Sequence, residues 1–218
     1  MAVSLAPHLA RWATVPVRPV VAAFDLDGTL TTRDCVLPFL LAVAGPPRLG
    51  LALARRATAL VPAVVRRDRD RMKAVATAAV FPGRSIADVE RAGSSFSRTI
   101  VDRWLRPDTL ATLRRHAASG ADVVLVSASY AVYVRPLAEH LGLASGRVVA
   151  TELAVDGDGR CSGGLDGGNC RGDAKVERLH AWLDAHHGGR AAVELWAYGD
   201  SAGDAPMLAD ADHGVWVT

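Results

Sequence analysis

The run Val20 to Leu26 is apolar and β-branched, and at its end it passes into Asp25, Leu26, Asp27 and Gly28. An unalternating run of that length, closed by a glycine, predicts a strand buried on both faces that opens into a loop. Two later runs repeat the design: Asp122 to Val126 leads into Ser127, Ala128 and Ser129, and Val193 to Tyr198 leads into Gly199, Asp200 and Ser201. From Cys35 to Leu105 no strand pattern occurs. Leu49 to Val65, Arg69 to Val80 and Ile86 to Trp104 carry helical spacing there, punctuated by Pro46-Pro47 and Pro82-Gly83. Further helices are predicted over Leu110 to His116, Ala131 to Leu141, Glu177 to Ala185 and Met207 to Ala211. Val148 to Val155, the turn Asp156-Gly157-Asp158-Gly159 and Arg160-Cys161 predict a hairpin, and Gly214 to Val217 a last strand. Strands alternating with helices imply a parallel sheet with right-handed crossovers, in which ligands sit outside the carboxyl ends of the strands. Three of the polar clusters occupy that position.

Composition narrows the class. Of 218 residues half are hydrophobic and 22% charged, with 25 basic side chains against 23 acidic ones, so the chain reads as globular and carries no basic nucleic-acid footprint. Cys35, Cys161 and Cys170 are an odd count without a C-x-x-C pair, which supports neither a disulfide framework nor a zinc knuckle and points to a reducing, cytoplasmic compartment. Residues 1–18, interrupted by Pro7 and Pro16, read as a leader outside the fold rather than a secretory signal. The stretch Val36 to Ala54 is very apolar, but Pro38, Gly45, Pro46, Pro47 and Arg48 break it; a span needs about 20 mostly apolar residues, and a helical hairpin fits better. Lys73 and Lys175 are the only lysines, which asks a reason of each, because an ammonium is a compact point charge and a guanidinium is not.

Asp25 and Asp27, two apart at a strand end, are placed for one carboxylate to attack phosphorus while the other carries a proton. Ser127 offers a hydroxyl and neighbouring amides, Lys175 a cation, and Asp200 with Asp204 a hard oxygen site suited to Mg²⁺. In order, FDLDGTL (Phe24 to Leu30), VLVSAS (Val124 to Ser129), GDAKVERL (Gly172 to Leu179) and YGDSAGDAPML (Tyr198 to Leu208) resemble the four motifs of the haloacid dehalogenase superfamily. Within it they are most similar to the subclass IB hydrolases, which include phosphoserine phosphatase.

The resemblance implies an α/β three-layer Rossmannoid core with a parallel central sheet, built from residues 19–34 and 106–218, and a small α-helical cap of the C1 type over residues 35–105. It implies Asp25 as nucleophile and Asp27 as general acid and then base. It implies Gly28, Thr29, Ser127, Ala128 and Lys175 around the phosphate, with Ser129 the alternative to Ser127, and Mg²⁺ held by Asp25, the Asp27 carbonyl, Asp200 and Asp204. Asp34 stands where phosphoserine phosphatases carry a glutamate that meets the substrate ammonium; a solvated helix-start carboxylate is the competing reading. Arg66, Arg67, Arg69, Arg71 and Lys73 read first as a wet helix face, and second as a source of a cation over the site.

The expected function is thus a Mg²⁺-dependent phosphatase acting on a small phosphorylated metabolite through an aspartyl-phosphate. The alternatives are a phosphatase of lipid or other apolar phosphate esters at a membrane surface, and a non-catalytic binding protein on the same fold. Membrane contact is the less favoured of the partner readings, nucleic acid is not expected, and oligomeric state is left open.

Overall fold

The computed structural model describes residues 18–218; the leader expected over 1–18 lies, except for Arg18, outside the described residues. Six strands, β1 (Val20–Phe24), β2 (Asp122–Tyr130), β3 (Val148–Val155), β4 (Cys161–Asp166), β5 (Glu194–Gly199) and β6 (His213–Trp216), form one sheet in the order β4-β3-β2-β1-β5-β6. All neighbours are parallel except the expected β3–β4 hairpin, so the parallel central sheet carries one antiparallel edge strand. The antiparallel strand extends past the predicted Arg160-Cys161 because the backbone of a glycine-rich segment, Gly163 and Gly164 included, still pairs with β3 as far as Asp166.

Alternation along the central strands divides the core between two layers. Ala22 and Phe24 of β1 with Val123 and Leu125 of β2 face one side; Val21 and Ala23 with Val124 and Val126 face the other. The second side is covered by α8 (Asp173–His187) and α9 (Ala205–Asp210), through Leu179, Leu183, Met207 and Leu208. The first is covered by α6 (Pro107–Ala118) and α7 (Ala131–His140), which contribute Leu113, Tyr133, Val134 and Leu137.

Five helices separate β1 from α6: α1 (Val36–Ala44), α2 (Pro46–Ala54), α3 (Ala57–Val65), α4 (Arg69–Val80) and α5 (Ile86–Arg103). The apolar hairpin expected at Val36 to Ala54 is α1 and α2, bent by 106° at Gly45. The single helix expected from Leu49 to Val65 is two, interrupted at Arg55-Arg56, where neither Gly nor Pro marks the break. The insertion shares its apolar core with the sheet layer beneath it. Phe39 of α1 packs on Tyr133 of α7 at 4.7 Å between ring centroids, and Phe81 meets Tyr130 at 5.3 Å. At the α5–α7 crossing Gly93 allows the closest approach: a Cβ there would lie 2.1 Å from the Val132 carbonyl oxygen.

Candidate active site

The carboxyl ends of β1, β2 and β5 and the start of α8 converge on one point. The Asp25 amide donates to the Tyr198 carbonyl oxygen at 2.9 Å, which holds the end of β1 on β5. The chain then turns, with the amides of Thr29, Leu30 and Thr31 all directed at the Leu26 carbonyl oxygen. That turn needs φ of +83° at Gly28, and it brings the Gly28 backbone so near Asp200 that a Cβ would sit 2.2 Å from Asp200 Oδ2. Thr29 Oγ1 donates to Asp200 Oδ1 at 3.3 Å.

Lys175 lies in the first turn of α8, which begins before the predicted Glu177. Its Nζ is buried and donates to Asp25 Oδ1 and Asp204 Oδ1, both at 2.5 Å. The other Asp204 oxygen accepts from the Ser201 amide at 3.0 Å and the Ser201 hydroxyl at 2.7 Å, so Asp204 is fixed from both ends. Asp25, Asp200 and Asp204 each present a carboxylate oxygen within 4.8 Å of the others. Three carboxylates against one lysine leave an excess of negative charge, and an all-oxygen donor set fits a hard divalent cation such as Mg²⁺.

Charge and burial act in opposite directions here. Burial pushes the Asp25 carboxyl up to about 7 against the pull of Lys175, with Asp204 and Asp27 adding to the rise. Burial alone would lower Lys175, but Asp25 and Asp204 outweigh it and hold the ammonium above its ordinary range. Burial would also raise Asp204, yet Lys175 and the Ser201 donors keep it below the usual carboxylate range. Asp200 is raised by partial burial and by Asp204.

Asp27 faces a different set of partners. Its Oδ1 accepts from the Cys35 amide at 2.8 Å and its Oδ2 from the Ser129 hydroxyl, which in turn accepts from Tyr133 Oη at 2.6 Å. Burial and the neighbouring Asp34 raise its pKa, a shift that favours the protonated form needed by a proton donor. Cys35 is buried and its thiol is pushed up by burial and by Asp27, as befits a small hydrophobe rather than a nucleophile.

Ser127 is fully buried and its Oγ accepts from the Ser129 amide at 3.0 Å; Ala128, next to it, lines the cavity. Asp34 is an exposed carboxylate at a helix start, one of the two readings the sequence offered. Its Oδ1 accepts from the Val36 amide at 2.9 Å, securing the start of α1, and the residue also lines the cavity.

That cavity, of about 600 Å³, rises from Asp25, Asp27, Lys175 and Asp200 to a wall of Val36, Leu37, Leu40, Leu53, Leu60 and Met72. Lys73 corrects the expectation of a wet helix face. It is buried, donates to the Ala128 carbonyl oxygen and to Asn169 Oδ1 at 3.0 Å, and its ammonium stands 4.3 Å from the centroid of the Tyr130 ring. Arg66, Arg67, Arg69 and Arg71 are exposed as expected. Asn169 and Arg171, which also line the cavity, went unnoticed in the sequence; Asn169 lies in a Gly-rich loop with no motif to single it out.

The fold and the acid cluster at the strand ends define a class, and the family model of haloacid dehalogenase-like hydrolases matches residues 22–209. The chain belongs to that family. Among curated relatives it is 39% identical over 196 residues to protein CicA of Caulobacter vibrioides, covering 89% of this chain and 84% of that one. A crystal structure of a Bordetella pertussis protein of unknown function shares 25% identity at a TM-score of 0.71, covering 88% and 87% of the two chains. A substrate-bound phosphoserine phosphatase has the same fold at 19% identity and a TM-score of 0.57, over 89% and 83%.

Proposed function

We propose that the protein is a Mg²⁺-dependent phosphatase that hydrolyses a small phosphomonoester through a phosphorylated Asp25. The observation that carries this reading is the contact of Lys175 with Asp25 and Asp204 beside the Asp25–Asp200–Asp204 cluster, at the base of a cavity that Asp27 also lines.

In this reading a phosphate ester enters with its phosphoryl group against Lys175 and the amides of Gly28 and Ala128. Asp25, with one oxygen held by Lys175, attacks phosphorus with the other. Asp27 gives its proton to the departing alkoxide oxygen, and the product is an alcohol and an acyl phosphate on Asp25. Asp27, now ionised and still oriented by the Cys35 amide and the Ser129 hydroxyl, takes a proton from water as that water attacks phosphorus, which returns Asp25 and releases phosphate. Mg²⁺ bound at Asp25, the Asp27 carbonyl, Asp200 and Asp204 would neutralise the phosphoryl oxygens and so offset the repulsion between a dianion and a carboxylate nucleophile. We assign residues 35–105 as the cap that closes over the site and selects the leaving group, with Asp34 and the apolar wall in contact with it. The three buried free cysteines support a reducing compartment such as the cytoplasm.

The test is phosphate release from a panel of small phosphomonoesters with Mg²⁺ or EDTA. Release should require Mg²⁺ and fall by about a thousandfold or more in Asp25→Asn, with an unchanged circular dichroism spectrum. A variant that keeps more than about a tenth of wild-type turnover would remove Asp25 from its role.

A further inference from the structure

The helical insertion leaves apolar side chains uncovered. Leu37 of α1, Leu51 of α2 and Val61, Val64 and Val65 of α3 are each more than half exposed, and Val65 reaches 78%. Single exposed apolar residues need no explanation, but five of that size within three successive short helices do. The charge of the same segment is just as uneven. From Val36 to Arg67 there are five arginines, Arg48, Arg55, Arg56, Arg66 and Arg67, and no acidic residue. The rest of the chain then holds 20 basic side chains (25 less 5) against all 23 acidic ones. Each of the five arginines is exposed and lies at a helix end or between helices, beside the exposed apolar positions.

We propose that α1–α3 form a docking surface for an anionic lipid bilayer, with Leu51, Val61, Val64 and Val65 entering the headgroup boundary and the five arginines meeting lipid phosphates. Interfacial binding of this kind draws on a shallow apolar face and on attraction between cations and an anionic leaflet, and both are present. No single helix among the described residues is long and apolar enough to cross a membrane, and α1 and α2, which are that long and apolar only when taken together, are bent by 106° at Gly45. The arginines repel a second copy of the same face, which disfavours self-association. The segment's single aromatic residue, Phe39, is buried, which leaves no exposed ring on which nucleic-acid bases could stack. Leu37 is both exposed and part of the cavity wall, so the docked face adjoins the mouth of the cavity.

Flotation with phosphatidylcholine vesicles, with and without about a third phosphatidylglycerol, tests the surface without reference to catalysis. The wild-type chain should float with the anionic vesicles and not with the neutral ones, and binding should weaken as salt rises. Asp25→Asn should float equally well, so a failure of the phosphatase reading leaves this result untouched. Arg55→Glu/Arg56→Glu should weaken partitioning by about tenfold or more, and Val61→Asp/Val64→Asp should do likewise. These exposed positions are not expected to unfold the chain, which unchanged melting curves check; Val61→Ser/Val64→Ser is the milder pair should the aspartates perturb the helix. Equal partitioning of wild type and both pairs, or no flotation at low salt, overturns the proposal. So does an oligomer that the same substitutions dissociate, or binding of single-stranded RNA in place of vesicles.

Discussion

At the scale of single residues, Gly28 and Asp25 carry the most chemical weight. Gly28 combines a left-handed backbone with direct contact to Asp200, so Gly28→Ala meets both a strained φ and a side chain that must move. Asp200 is then displaced from the other carboxylates. The Mg²⁺ concentration at half-maximal phosphate release should rise by about tenfold or more, and an unchanged midpoint would show that Asp200 tolerates the shift. Asp25 links the cation to pH. With its carboxyl raised to about 7, a divalent cation must displace a proton at lower pH. Apparent Mg²⁺ affinity should therefore climb between pH 5 and 7 and level off above, as read by isothermal titration calorimetry. An affinity flat across that window would contradict the assignment of Asp25 as a ligand.

At the scale of elements, helix α4 is tied to the sheet by one buried side chain. Lys73 joins it to the end of β2 at Ala128 and to the loop before α8 at Asn169. Burial lowers this ammonium to about 7 from an ordinary 10.5, with Asp27 partly offsetting the loss. An unfolded lysine takes up its proton near 10.5 and the folded one near 7, so between those values folding releases a proton and stability falls as pH falls. Compared with Lys73→Met, the wild type should lose about 1 kcal/mol or more from pH 10 to pH 7 and nothing further below that. Urea unfolding at the two ends of the window measures it, and a constant difference between the two proteins would refute it. The sequence could not place Lys73 inside, because in a run of seven charged residues among eight, Arg66 to Lys73, helical periodicity names no apolar face. What it could place were the ends of β1, β2 and β5, since each apolar run stops at the polar residues that form the site.

At the scale of the whole molecule, the alternation of strands and helices along the chain followed from periodicity and punctuation, the three-layer core from the family resemblance, and the four motifs located the acid cluster. The elements that escaped are those set by tertiary contact. Strand β2 continues to Tyr130 because β3 pairs with it there through Thr151, and β4 runs to Asp166 although its glycines argue against a strand. Gly93 belongs with them. Nothing local demands glycine inside α5, but the Val132 carbonyl of α7 lies against it. Gly93→Ala should force α5 away from α7 and cost about 1 to 3 kcal/mol, measurable as a lowered melting temperature; an unshifted melt would show that the two helices part freely. Because α5 ends the insertion whose side chains line the cavity, turnover should fall in the same variant.

The central claim, that Asp25 carries the phosphoryl group in transit, is tested most directly by acid quenching during turnover followed by mass spectrometry of peptides. A substrate released by the panel assay, quenched with Mg²⁺ present, should leave one phosphoryl group on the peptide that contains Asp25. EDTA and Asp25→Asn should each abolish it. Turnover that proceeds with that peptide unmodified and another peptide phosphorylated would contradict the account.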